Sequence, residues 1–234
     1  MPQLTETVVL PGEPALRVQI KASARARQMS LRVSGLDGKI TLNVPRGLAH
    51  RHALAFLSEK EGWLRAAVAR APGVQPIAPG GLVPVDGILH RVTPAPVRSV
   101  TLKDDRLLVP ETGPAGARVA AFLKTRARDR LVPMADHYAQ ALGRTVAAVS
   151  LRDTRSRWGS CTAQGRLMFC WRLAMAPPIV QDYVAAHEAA HLVHMDHSRA
   201  YWATVARIMP DYAAHRAWLR SHGATLHSYR FDNG

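Results

Sequence analysis

Alternating apolar and polar positions mark short strands in the first half of the chain. The segments "LRVQI", "MSLRVS" and "ITLNVP" have the period-2 pattern of strands with one buried face. Asp37 and Gly38 supply turn residues before the third segment. The pattern therefore predicts an antiparallel hairpin or meander.

A helical period replaces the alternation at 48–71, where leucine, tryptophan and valine recur along one face until Pro72. The proline- and glycine-rich stretch 72–84 reads as a linker or surface loop. Three further strand-like segments follow, "GILHRVTP", "VRSVTL" and "RLLVP". We therefore expect residues 1–112 to form a mostly β region with one helix, and residues 113–234 to form a second domain.

The second half is mainly helical. A long helical pattern runs from Pro114 to Leu142 and is interrupted or kinked at Pro133. The strand-like segments "VAAVSLRD" and "RLMFCWRLAM" come next, separated by the loop "TRSRWGSCTAQG". A helix is then expected to start at the two adjacent prolines and to continue through "IVQDYVAAHEAAHLVHM", followed by two more helical segments. The predicted fold class is α+β.

Composition narrows the class of protein. The chain has 234 residues, enough for one large domain or two modest ones, and its apolar runs are too short for a membrane-spanning helix. The start of the chain has no secretory signal pattern, so we expect a cytoplasmic protein. Cys161 and Cys170 are too few for a disulfide scaffold and are expected to be buried thiols.

The formal net charge is +14 and the isoelectric point is near 10.9. Such a charge attracts DNA or an acidic protein partner. Most of the basic residues are arginines scattered along an alanine-rich chain, as a GC-rich genome would produce. Nucleic-acid binding is therefore kept as an alternative.

The candidate chemistry lies in "HEAAH", in which His187 and His191 are four residues apart. On a helix this spacing directs both imidazoles to one point, where they can bind zinc, and Glu188 can reach a water without becoming a ligand. His197 follows after a spacing that allows the chain to turn and supply a third imidazole. His194 is not expected to be a ligand, because three protein ligands leave the open position of a catalytic zinc site. The alternative is a helix with ordinary polar histidines.

The sequence segments around this motif resemble those of the YgjP-like family of zinc-dependent metallopeptidases. The resemblance is carried by "SRWGSC" at 156–161 and by the segment 171–202, which joins the two prolines, HExxH and the ending "HSRAYW". It implies a zincin-like catalytic domain in which the HExxH helix packs on a small antiparallel sheet, with His187, His191 and His197 on Zn2+ and Glu188 as general base. It also suggests kinship with the SprT-like proteases that digest proteins crosslinked to DNA.

The RWGSC loop has two interpretations. In the first, Arg157 binds a carboxylate or carbonyl of the substrate, Trp158 forms a pocket wall and Gly159 exposes backbone donors. In the second, the loop is a hairpin packed on the catalytic helix, with Trp158 in the core. Tyr201 is a further candidate for substrate contact, although it is also suited to packing against a following helix.

The resulting hypothesis is a zinc metallopeptidase that cleaves protein or peptide substrates, with an N-terminal region that assists or covers the catalytic half. One alternative is a basic DNA-associated protein whose zinc site is ancillary or acts in DNA-linked proteolysis. Another is a zinc hydrolase of non-peptide amides. No membrane association is expected, and the oligomeric state is left open.

Overall fold

The computed structural model of the chain describes residues 5–35, 38–70 and 73–231. Asp37 of the predicted turn and Pro72 at the predicted helix end lie outside the described residues. Helices and several small mixed sheets occur together in the described part. The predicted α+β class is confirmed.

Contacts within the chain divide it into two compact units, Met1–Val74 and Gln75–Gly234. The domain boundary that the sequence predicts between residues 112 and 113 stays a prediction. All of the predicted site residues belong to the second unit. Across the described ranges, none of the helices carries a stretch long and apolar enough to cross a bilayer.

The first unit is a four-stranded sheet covered by two helices. Its elements are β1 Thr5–Leu10, β2 Leu16–Ser23, β3 Ser30–Val33, β4 Ile40–Pro45, α1 His50–Glu59 and α2 Glu61–Ala69. The strand order is β1-β2-β4-β3, with antiparallel outer pairs and a parallel central pair. Alternate residues of β2 and β4 are buried, and Leu57 and Leu64 of the two helices pack against the same core.

Two details of the first unit differ from the sequence-based expectation. β3 and β4 form the expected antiparallel hairpin, but β2 pairs in parallel with β4 and not with β3. The single helix expected at 48–71 is two helices, because the backbone at Lys60 leaves the helical range with φ −94° and ψ 6°. No proline or glycine marks that break in the sequence.

The second unit contains the remaining elements. They are β5 Gln75–Pro76, β6 Leu82–Val85, β7 Ile88–Ala95, β8 Thr101–Lys103, β9 Arg106–Pro110, α3 Ala115–Ala141, β10 Ala148–Arg152, β11 Gly159–Cys161, β12 Arg166–Cys170, α4 Pro178–Ala190, α5 Arg199–Ile208, α6 Tyr212–Leu226 and β13 Tyr229–Arg230. A 3₁₀ segment at Trp171–Met175 joins β12 to α4.

Three sheets organise this unit. β6-β7-β9-β8 repeats the pairing pattern of the first unit, antiparallel at both edges and parallel in the centre. β10-β12-β11 is a mixed sheet in which β10 runs parallel to β12, so the small sheet near the HExxH helix is not the wholly antiparallel sheet that was expected. β5 and β13 form a short parallel pair.

Helix α3 supplies the main packing surface for α4. It continues through Pro133, and its apolar side is buried at Val119, Leu123 and Leu131. Both α4 and the 3₁₀ segment pack along it. The predicted long helix is therefore confirmed, and it gives α4 a rigid support.

A buried arginine holds the end of the chain against this core. Arg172 donates Nε and Nη2 to the two carboxylate oxygens of Asp153, at 2.7 and 3.1 Å. Its Nη1 donates to the backbone carbonyls of Leu226 and Tyr229, at 3.1 and 3.0 Å. The tail that follows α6 thus has a specific anchor, although its sequence has no regular pattern.

Candidate metal centre

Helix α4 carries the first two histidines. It starts at Pro178, where a proline is tolerated because the first helical N–H needs no acceptor within the helix. The expected continuation to Met195 is wrong, since the helix ends at Ala190 and the chain then turns tightly. Leu192 N–H donates to Ala189 O at 3.0 Å, a bond that spans three residues instead of four.

The turn after α4 brings the third histidine back to the helix. Ser198 caps α5, and its Oγ accepts a hydrogen bond from Tyr201 N at 3.3 Å. Asp196 Oδ1 accepts a bond from Ser198 N at 3.1 Å, which fixes the segment that holds His197. The early end of α4 is thus what allows a third imidazole to reach the first two.

The three imidazoles form one cluster. One ring nitrogen from each of His187, His191 and His197 lies within 4.8 Å of the other two. The Nε2 atoms of His187 and His197 are 3.3 Å apart. Tetrahedral zinc with Zn–N bonds of 2.0–2.1 Å places two ligand nitrogens about 3.3–3.4 Å apart. His187 and His197 are therefore spaced as two zinc ligands would be, and a ring nitrogen of His191 lies within 4.8 Å of both.

The protonation of the cluster also suits a metal. Burial, with smaller effects from the neighbouring imidazoles, lowers the pKa of His187 to about 3, and burial lowers the pKa of His191. Nδ1 of His191 lies 2.9 Å from the backbone carbonyl of His194, so this nitrogen is the donor and Nε2 keeps its lone pair. Neutral imidazole is the form that binds metal ions.

Two aromatic residues of α5 hold the imidazoles in place. Tyr201 is fully buried, and its ring stacks on His191 with centroids 4.5 Å apart. Its hydroxyl donates to the backbone carbonyl of His187 at 3.0 Å. Trp202 stacks on His197 with centroids 5.7 Å apart, and it also stacks on Tyr212 of α6.

Glu188 lies beside the cluster and is buried. Burial raises the pKa of its carboxyl group to about 8, and the Arg157 guanidinium opposes this rise. Gly159 of β11 packs directly against this side chain, because a Cβ atom built on Gly159 would lie 2.7 Å from the carboxyl carbon of Glu188. A glycine at this position therefore leaves the space that the glutamate occupies.

An open cavity of about 730 Å³ lies over the histidines and Glu188. Arg157, Trp158 and Gly159, the predicted substrate-contacting residues of the RWGSC loop, all line it. Tyr201, the remaining residue predicted to contact substrate, is not among the residues that line the cavity. It lies beneath the imidazoles and directs its hydroxyl to the backbone of α4.

The RWGSC loop has features of both interpretations. Gly159 to Cys161 form β11, which pairs with β12 and contacts α4, as a packed hairpin would. The Trp158 ring packs against His227 with centroids 4.8 Å apart and comes close to Gly223 of α6. Trp158 is nevertheless half-buried and lines the cavity, so the same side chain supports the loop and forms a wall.

Sequence reasoning missed the wall that α6 contributes. Arg216 and Arg220 line the cavity from this helix, and the Arg216 guanidinium carbon lies 4.5 Å from the ring centroid of Trp202. Their spacing of four residues within a predicted helix was the available signal, since it places both on one face. Nothing local in the sequence connects that face to the histidines.

Comparison with known proteins agrees with this geometry. No curated protein and no solved structure matches the chain. The family model described as YgjP-like, metallopeptidase domain, matches residues 27–222, which is most of the sequence. The chain, with its three clustered imidazoles in a metallopeptidase domain, belongs to the YgjP-like family.

Proposed function

We propose that the protein is a zinc-dependent metallopeptidase that hydrolyses peptide bonds in protein or peptide substrates. Membership of a metallopeptidase family supports the reaction class. The observation that carries the proposal is the cluster of three imidazole nitrogens within 4.8 Å, beside a buried glutamate and below an open cavity.

His187, His191 and His197 would hold the ion, and the cavity side would remain free for water and substrate. When bound, zinc supplies a Lewis acid that lowers the pKa of a water toward about 7 and polarises the scissile carbonyl. Tyr201 and the His194 carbonyl act as positioning groups, because they fix the backbone of His187 and the ring of His191.

Glu188 would move the proton. Its carboxylate accepts a proton from water at the cavity floor, holds it, and passes it to the amine that leaves when the amide bond breaks. Burial raises the pKa of this carboxyl group toward neutral pH, which suits a group that must first accept and then release a proton. Gly159 supports this role by leaving room for the side chain close to the histidines.

The experiment combines metal analysis with cleavage. We expect one zinc ion per purified chain and an anomalous peak at the zinc edge among the three imidazoles. Glu188→Gln should keep the zinc and reduce cleavage of a peptide mixture by about 10²–10⁴-fold, the usual contribution of a general base. His187→Ala should lose the metal, and the matched control His52→Ala, at an exposed position of α1, should keep it. Full cleavage by Glu188→Gln would refute the mechanism.

Other roles considered from the sequence stay predictions. DNA-linked proteolysis, a DNA or acidic partner and a cytoplasmic location rest on charge and composition alone. Hydrolysis of non-peptide amides would use the same groups, and comparing small amides with the peptide mixture separates the two substrate classes. An assisting or covering role for residues 1–112 stays a prediction, and deleting the first unit, Met1–Val74, and measuring KM tests the part of it that falls in that unit.

A further inference from the structure

The cavity has an unbalanced charge. Three arginines line it, Arg157 from the loop before β11 and Arg216 and Arg220 from α6. Glu188 is the one acidic residue among its described lining residues. The cations therefore come from two walls, and among the described lining residues the one acidic group near them is Glu188, which we assign to proton transfer.

The three arginines differ from the arginines that hold the fold. Arg126 pairs with Asp86, and Arg172 pairs with Asp153. In the part of the chain that the structure describes, none of the three cavity arginines, Arg157, Arg216 and Arg220, takes part in an ion pair. Their guanidinium N–H groups can therefore donate to solvent or to a ligand bound in the cavity.

Arg216 is also held in position. Its guanidinium lies over the Trp202 ring, and Trp202 also stacks with His197 and with Tyr212. A guanidinium that is already ordered by stacking loses less conformational freedom when it binds a ligand. Arg220, one turn further along α6, lies on the same face. The two arginines thus line the same cavity as the three histidines, from one face of α6.

We infer that this arginine wall is a subsite for a carboxylate of the peptide substrate, bound close to the scissile bond. The inference rests on the proposed peptidase function and names its substrate class. Guanidinium binds carboxylate through paired, charge-assisted hydrogen bonds, so a carboxylate is preferred over a neutral amide of the same shape. The carboxylate can come from an acidic side chain or from the C-terminus of the peptide.

Four matched peptides distinguish these sources. They carry either glutamate or glutamine near the cleaved bond, each with a free or an amidated C-terminus. We expect the zinc-loaded full-length protein to cleave the preferred carboxylate form with a kcat/KM about tenfold higher than its neutral counterpart, since exposed charge pairs contribute about threefold each. A Glu-to-Gln effect identifies the side chain, and an effect of amidation identifies the C-terminus.

Variants connect the preference to the arginines. In the double variant Arg216→Gln with Arg220→Gln, the ratio between the charged and neutral peptides should fall to about twofold or less. Arg220→Gln alone leaves the Arg216–Trp202 stack intact and should lower the ratio about threefold. Arg207→Gln, an exposed arginine of α5 outside the cavity, is the matched control and should keep the wild-type ratio. Cleavage of all four peptides at equal rates, or an unchanged ratio in the double variant, would overturn the inference.

A binding measurement separates this inference from the proposed function. Zinc-loaded Glu188→Gln is titrated with the same four peptides, with and without the two arginine substitutions. Tighter binding of the carboxylate form that is lost with the arginines supports the subsite, even if the wild-type protein cleaves no peptide and the peptidase function fails. Equal binding of all four peptides overturns the subsite and leaves the peptidase function to the cleavage assay.

Discussion

Substitution of Gly159 by alanine tests how the fold positions Glu188, the general base that we propose. The added Cβ atom would lie 2.5 Å from Glu188 Cγ and 2.7 Å from its carboxyl carbon. Carbon atoms in contact prefer separations of about 3.5–4.0 Å, so the glutamate or strand β11 must move by about 1 Å. β11 is paired with β12, and Glu188 lies on a helix packed against α3, so neither side moves freely.

The size of the effect follows from this displacement. A misplacement of about 1 Å in a catalytic group lowers the rate about 10²-fold. Overpacking of a filled interior lowers the free energy of unfolding by about 1–3 kcal/mol. We expect Gly159→Ala to lower kcat about 10²-fold with little change in KM or in zinc content, since the glycine contacts the glutamate and not the imidazoles.

The assay measures kcat and KM on a cleaved peptide, zinc content, and urea unfolding on the same preparation. Gly62→Ala is the matched control, because its Cβ would meet no atom within 4 Å in helix α2. That variant should keep the wild-type rate and lose no stability, since alanine is the better helix former. A Gly159→Ala protein with full zinc and an unchanged kcat would refute the claim that close packing at Gly159 fixes the base.

Three other predictions concern the supports of the site and the charge of the chain. Tyr201→Phe removes the hydroxyl that donates to the His187 carbonyl, so zinc affinity measured by chelator competition should fall about tenfold, whereas Tyr212→Phe should leave it unchanged. Arg172→Met leaves the backbone carbonyls of Leu226 and Tyr229 without their buried donor and should lower the free energy of unfolding in urea by about 1–3 kcal/mol; an unchanged midpoint would contradict the anchoring role. If the net charge of +14 serves DNA binding, the logarithm of the binding constant should fall steeply and linearly with the logarithm of salt concentration, and absence of binding at low salt would exclude that role.

The clustering of the three histidines was predictable because its geometry is local. His187 and His191 share one helix face, and His197 needs only a short turn to reach them. The prediction was wrong about the length of α4, which stops at Ala190 and so makes the turn possible. Hydrophobic periodicity does not reveal that end, because "HLVHM" continues the apolar pattern while the backbone leaves the helix.

Strand pairing was predictable only where it was local. β3 and β4 are joined by a short turn, and the hairpin was expected. Once such a hairpin forms, the strand before it can add to either edge, and alternation of apolar residues is the same in both cases. In this chain the earlier strand adds in parallel to the last strand, and the same choice recurs in β6-β7-β9-β8. The pattern identifies strands, whereas the edge chosen depends on the packing of the whole unit.

The walls of the site depend on contacts that are remote in sequence, and they decide its electrostatics. Burial first, then the two other imidazoles and Arg216, lower the pKa of His187 to about 3, so a cationic cavity favours the neutral ring that a metal needs. A divalent ion would add further positive charge beside three arginines and one buried glutamate. Such a site binds an anionic group more readily than a neutral one, because a carboxylate offsets charges that the protein itself leaves unpaired. The fold that presents the histidines thus also favours the substrate class that we propose.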